Sequence, residues 1–134
     1  HVMKDHEGSI WAVSRFHLYR YNVTLDLFEQ IPAQVRVKEL LYAYETAGGR
    51  LLLGSYAGLF EVIKSPSGKR SIIPATGFES LKYDLIDWMY EDKNGTMYFG
   101  KNTNQLLIQQ QGKTKEYPLG YAKAAYEAPD GQTI

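Results

Sequence analysis

The chain has 134 residues, with 15 Lys and Arg balanced by 15 Asp and Glu, so its formal net charge is zero. Neutrality removes long-range attraction for a polyanion and makes nucleic acid an unfavoured partner. The absence of cysteine excludes a disulfide framework and any thiolate metal site. No apolar run approaches the roughly 20 residues that span a bilayer.

Taken in chain order, the sequence reads as short strands punctuated by glycine turns. The first residues form the end of one strand, turned at Gly8, with a second strand over 10–14, a third over 18–22 and a fourth over 28–31. Residues 34–41 are the best helical candidate and are too short to matter. Leu40, Tyr42 and Tyr44 then alternate as a strand, which turns at Gly49 and continues over 50–55. A turn at Tyr56-Ala57-Gly58 leads to strands over 59–64 and 70–74. Ile86, Trp88 and Tyr90 alternate again, and Asn94-Gly95 supplies a tight hairpin. Strands over 96–101, 106–110 and 115–118 follow, and Asp130-Gly131 opens one further turn.

These elements repeat. Gly8, Gly49, Gly95 and Gly131 are separated by 41, 46 and 36 residues, and Trp11, Leu52, Tyr98 and Ile134 stand three residues after them. Tyr44-Glu45, Tyr90-Glu91 and Tyr126-Glu127 precede three of the four. Four antiparallel strands in about 40 residues make one propeller blade. The expected fold is therefore all-β: a β-propeller segment of about three four-stranded antiparallel blades plus part of a fourth. The repeats run over about 1–41, 42–87 and 88–123, with a partial copy over 124–134. A non-repeating β-sandwich would need four such coincidences. Because the first residues fall inside an innermost strand and the last inside a second strand, the chain is expected to be a segment of a longer one, since propellers close with about 4–8 blades.

The stretch Glu91-Asp92-Lys93-Asn94-Gly95-Thr96-Met97-Tyr98-Phe99-Gly100-Lys101 resembles the two-component regulator propeller repeat, Glu-Asp-x-x-Gly-x-x-Trp-x-Gly-Thr-x-x-Gly-Leu, with Tyr98 in place of Trp. Leu52-Leu53-Gly54-Ser55-Tyr56-Ala57-Gly58-Leu59-Phe60 is similar to its second half. Gly8-Ser9-Ile10-Trp11-Ala12-Val13-Ser14 keeps the Trp but not the following Gly, and residues 126–134 begin another copy. The resemblance implies a periplasmic, ligand-sensing propeller of a hybrid two-component system. Such a propeller recognises an oligosaccharide and signals through a membrane helix to a kinase and transcription regulator. The segment itself is then non-catalytic.

Other chemistry is thinly represented. A glycosidase needs two carboxylates flanking the scissile bond. Asp84 and Asp87, or Glu91 and Asp92, supply carboxylates without a distinctive motif, and no spacing groups Arg15, Arg20, Arg36, Arg50 and Arg70 around a sugar acid. A sialidase- or lyase-like enzyme is the alternative from another class, and a protein-interaction propeller is a third. His1, His6 and His17 lack metal-ligand spacing, and Asp92-Lys93-Asn94-Gly95 lacks the Glu of a calcium loop. No cofactor or metal is expected. The recurrent Glu45, Glu91 and Glu127 read as structural groups that are solvated or bonded to a neighbouring blade.

Topology places a ligand. In a four-stranded blade the loop after the second strand and the loop leading into the next blade share one face. Arg15, His17, Tyr56, Lys82, Tyr83, Asn102 and Asn104 fall there and offer the rings, amides and charges that hold sugars. The expected partners are an oligosaccharide or other small ligand, the remaining propeller blades of the same chain and a second copy in a homodimer. Direct contact with nucleic acid is not expected, and membrane contact belongs to regions outside the segment.

Overall fold

The glycine turns and alternating strands fold into three small sheets. The computed structural model describes residues 1–102 and 105–117. Among them, β1 (Val2–Lys4), β2 (Ile10–Val13), β3 (Leu18–Asn22) and β4 (Leu27–Gln30) form the first sheet. The second contains β5 (Leu40–Glu45), β6 (Leu51–Ser55), β7 (Gly58–Lys64) and β8 (Arg70–Pro74). The third contains β9 (Ile86–Glu91), β10 (Met97–Lys101), β11 (Gln105–Gln110) and β12 (Lys113–Tyr117). Each sheet is antiparallel and keeps its strands in sequence order. Close approaches between sheets run through the first two strands: β5 lies against β1 and β2 on one side and against β9 on the other. That arrangement is a partial β-propeller. Residues 124–134, expected to begin a fourth blade, lie outside the described residues.

Side-chain alternation decides how the sheets stack. Successive residues of a strand point to opposite faces. Leu51 and Leu53 of β6 therefore join Trp11, Leu18 and Phe60 in the core between the first and second sheets. Leu52 points the other way, into a core with Met89, Phe99 and Leu107 between the second and third. All five residues of β6 are buried, because this strand is covered on both sides. Burying each such leucine contributes about 2 kcal/mol, so these apolar seams outweigh any hydrogen bonds between sheets.

Two glycines are required by close approach. Gly54 pairs with Tyr42 beside a bulge at Leu41, and a Cβ there would lie 2.5 Å from the carbonyl oxygen of Ile86. Gly100 occupies the same register in the third sheet, pairing with Trp88 beside the bulge at Asp87. At Gly58, φ is +87° and a Cβ would stand 2.9 Å from Lys82 Cα, so both conformation and space demand glycine.

Two connections depart from the simplest reading. Residues 34–39 are not helical. The chain pairs with β8 only at their start, where Ala33 bridges Ile72 in parallel and the Gln34 N–H donates to the Ile72 carbonyl at 2.9 Å; it bends at 34–35 and follows no regular element over 36–39. A 3-10 turn at Glu79–Leu81 joins the second and third sheets and buries Leu81.

Candidate functional site

The sheets have two edges of different character, and the hairpin edge is occupied by its own structure. Asp5 Oδ1 accepts the N–H groups of Glu7 and Ser9 at 3.0 and 2.8 Å, while Oδ2 accepts the indole N–H of Trp11 at 2.8 Å. Asp92 repeats the pattern with Asn94, Thr96 and the Tyr98 hydroxyl. In the second sheet Thr46 accepts the Arg50 N–H at 3.1 Å, and Leu52 replaces the aromatic donor. Burial pushes the Asp5 carboxyl up, but the bonds from Trp11, Ser9 and Glu7 outweigh it and hold the group below its ordinary value.

The repeated Tyr-Glu pairs fasten one sheet to the next. Glu45 accepts the N–H of His6 at 2.8 Å, and Glu91 accepts the N–H of Ala47 at 2.7 Å. His6 and Ala47 hold the same position, two residues before a hairpin glycine. The Glu91 N–H donates in turn to the Tyr44 hydroxyl at 3.0 Å. Glu127 lies outside the described residues. A cavity of about 640 Å³ opens on this edge between the second and third hairpins. Although it is larger than any cavity on the opposite edge among those described, Glu45 and Glu91 in its wall are committed to backbone N–H groups.

The opposite edge carries the predicted ligand residues. The loop after each second strand bonds to a segment leading into a first strand. The Leu40 N–H donates to the Arg15 carbonyl at 2.7 Å, Tyr56 N–H to Glu39 at 2.8 Å, Gly58 N–H to Asp84 at 2.7 Å, and Asn102 N–H to Leu85 at 3.1 Å. Backbone bonding thus places Arg15, Tyr56 and Asn102 along one edge, with Lys82 and Tyr83 beside Gly58. Tyr83 is 83% exposed, Tyr56 58% and Phe16 54%. The Lys82 ammonium stands 5.1 Å from the Tyr83 ring centroid. Arg15 pairs with Glu39 at 2.6 Å and lies over the Phe16 ring. The His17 ring packs beside Tyr19, 6.1 Å between centroids. Asn102 adopts φ +52°, a conformation asparagine tolerates. Asn104 lies outside the described residues.

Lys101 bonds Asp84 at 3.1 Å and Glu116 at 3.2 Å, and Asp84 foremost raises its pKa. A cleft of about 310 Å³ is lined by Phe16, Arg36, Val37, Lys38, Glu39 and Tyr56. Reading the sequence for the two loops finds Tyr56 but not the 36–39 wall. No local signal marks that wall, because it reaches Tyr56 only through the bond from the Tyr56 N–H to the Glu39 carbonyl. Among the described residues, no three His, Asp or Glu side chains come together as a metal site, and no helix is long and apolar enough to cross a membrane.

No protein-family model matches the chain, and no curated protein sequence does. Solved structures do. The extracellular domain of the hybrid two component system BT4673 from B. thetaiotaomicron superposes with a TM-score of 0.61 at 21% identity, over 90% of this chain and 16% of that one. Selenomethionine-substituted virginiamycin B lyase from Staphylococcus aureus gives 0.64 at 13% identity, over 98% of this chain and 46% of that one. At these identities the likeness is one of fold. The chain spans less than half the length of either structure.

Proposed function

We propose that the chain is part of the ligand-sensing propeller of a two-component regulator. It works on the periplasmic side of the membrane, recognises an oligosaccharide on its loop edge and passes that signal to a kinase and transcription regulator. The observation that carries this reading is the division of labour between edges. The hairpin edge commits its described carboxylates Glu45 and Glu91 to holding sheets together, whereas the loop edge leaves Phe16, Tyr56 and Tyr83 exposed beside charged groups. Exposed rings on a rigid edge are platforms for the apolar faces of sugars. The fold shared with the extracellular sensor domain supports the same role.

Rigidity suits the task. The loops are tied to each other by backbone bonds, so a ligand meets a preformed surface and loses little to ordering it. Signalling additionally requires that the ligand bind one arrangement of the whole protein better than another.

Calorimetric titration of the intact protein with an oligosaccharide panel tests the reading. Tyr56→Ala and Tyr83→Ala are each expected to weaken binding about fivefold or more, as loss of a stacking ring costs roughly 1 kcal/mol or more, with no fall in melting temperature. Unchanged affinity in both variants rules out this edge. The fold shared with virginiamycin B lyase gives some weight to a second reading, a sialidase- or lyase-like enzyme. Cleavage products released from the same panel would support that reading and displace the first.

A further inference from the structure

The cleft beside Tyr56 has a charge imbalance that the chain as a whole lacks. Arg36 and Lys38 are exposed on either side of half-buried Val37, which packs against the core between the first two sheets. Neither cation has an ion-pair partner among the described residues. Glu39, the carboxylate in the wall, is already paired with Arg15 at 2.6 Å. Two uncompensated positive charges therefore flank two exposed rings, Phe16 and Tyr56, around one cleft.

We propose that this cleft takes an acidic sugar: a pyranose whose ring lies on Tyr56 or Phe16 and whose carboxylate or sulfate group faces Arg36 and Lys38. The proposal rests on the oligosaccharide-sensing reading and narrows it. A neutral sugar would use the rings and leave the cations idle. A nucleic acid would need a longer basic stripe than the two cations of this cleft make. The cleft, about 310 Å³, lies near the lower bound for small-molecule sites, roughly 300 Å³. It suits one terminal sugar better than a long chain. The cations stand on a non-helical segment whose backbone is fixed at Gln34 by β8 and at Glu39 and Leu40 by the loops of Tyr56 and Arg15, so they are held in place without a helix.

The test uses the intact protein and matched oligosaccharides in neutral, uronate and sulfated forms, titrated against wild type and an Arg36→Gln/Lys38→Gln variant. Both substitutions lie on exposed side chains, and an unchanged melting temperature verifies the variant. The expected result is tighter binding of at least one acidic form, weakened about tenfold by the double substitution and weakened further by added salt. The uronate and sulfate arms then say which anion is read. Equal affinity for neutral and acidic forms, or full acidic affinity in the variant, overturns the acidic-sugar proposal while sensing of sugars stands. No binding of any sugar overturns both.

Discussion

Asp5 and Trp11 act as one unit, and so do Asp92 and Tyr98. In each, a carboxylate three residues before the hairpin glycine holds two turn N–H groups with one oxygen and the ring donor with the other. Where the second sheet has Thr46 instead, it also has Leu52, so no donor is left waiting for an acceptor. The aromatic three residues after the glycine is legible in the sequence. The Asp six residues earlier stands in the same repeat, but the bond between the two is not legible, because only the folded turn brings them together. Asp5→Ala is expected to lower stability by about 2–3 kcal/mol in denaturant melts, as three hydrogen bonds to one carboxylate are lost. Glu61 behaves likewise: burial raises its carboxyl, but bonds from Arg50 and the Thr76 N–H prevail and lower it. Both groups protonate less readily folded than unfolded, so their stabilisation is present above their ordinary values of 3.8 and 4.5 and is lost as pH falls through the lower folded values. Melting temperature should drop in that acid range, and less so in a Glu61→Gln variant. His6 has the opposite sign. The Glu45 carboxylate raises its pKa above 6.5, so its contribution is complete below that pH and disappears as pH rises through the folded value. A Glu45→Gln variant should return the His6 titration, followed by NMR, towards 6.5.

At the scale of elements, close approach between first strands sets what each second strand can carry. Gly54→Ala drives a methyl into the Ile86 carbonyl and should cost about 3 kcal/mol, as overpacking against backbone does. Gly49→Ala meets nothing within 4 Å and is penalised only by its φ of +85°, about 1 kcal/mol. Equal costs in thermal melts would contradict the packing described for β9 against β6. The strands themselves were legible, since glycine turns and alternation mark each one locally. The segment over 34–39 and the 3-10 turn at Glu79–Leu81 were not. The first takes its backbone partners from Ile72 in β8 and from Tyr56, both distant in the chain, and the second is too short to show a period. The wall of the candidate cleft was hidden for the same reason: its residues reach Tyr56 only through a distant pairing.

Among the described residues, the molecule is held by two apolar seams and registered by the glutamate latches on one edge. The repetition of the glycines discloses this architecture, because each copy must bury its aromatic side on the next. It does not disclose which edge meets a ligand; that follows from where the latches are and where Phe16, Tyr56 and Tyr83 remain exposed. Hydrogen exchange of the intact protein, followed with and without a bound oligosaccharide, tests that division directly. Protection should rise over residues 15–17, 36–40, 56–58 and 82–85, while the hairpins at 5–9, 46–50 and 92–96 exchange as before. Protection gained at the hairpins, with the loop edge unchanged, would contradict it.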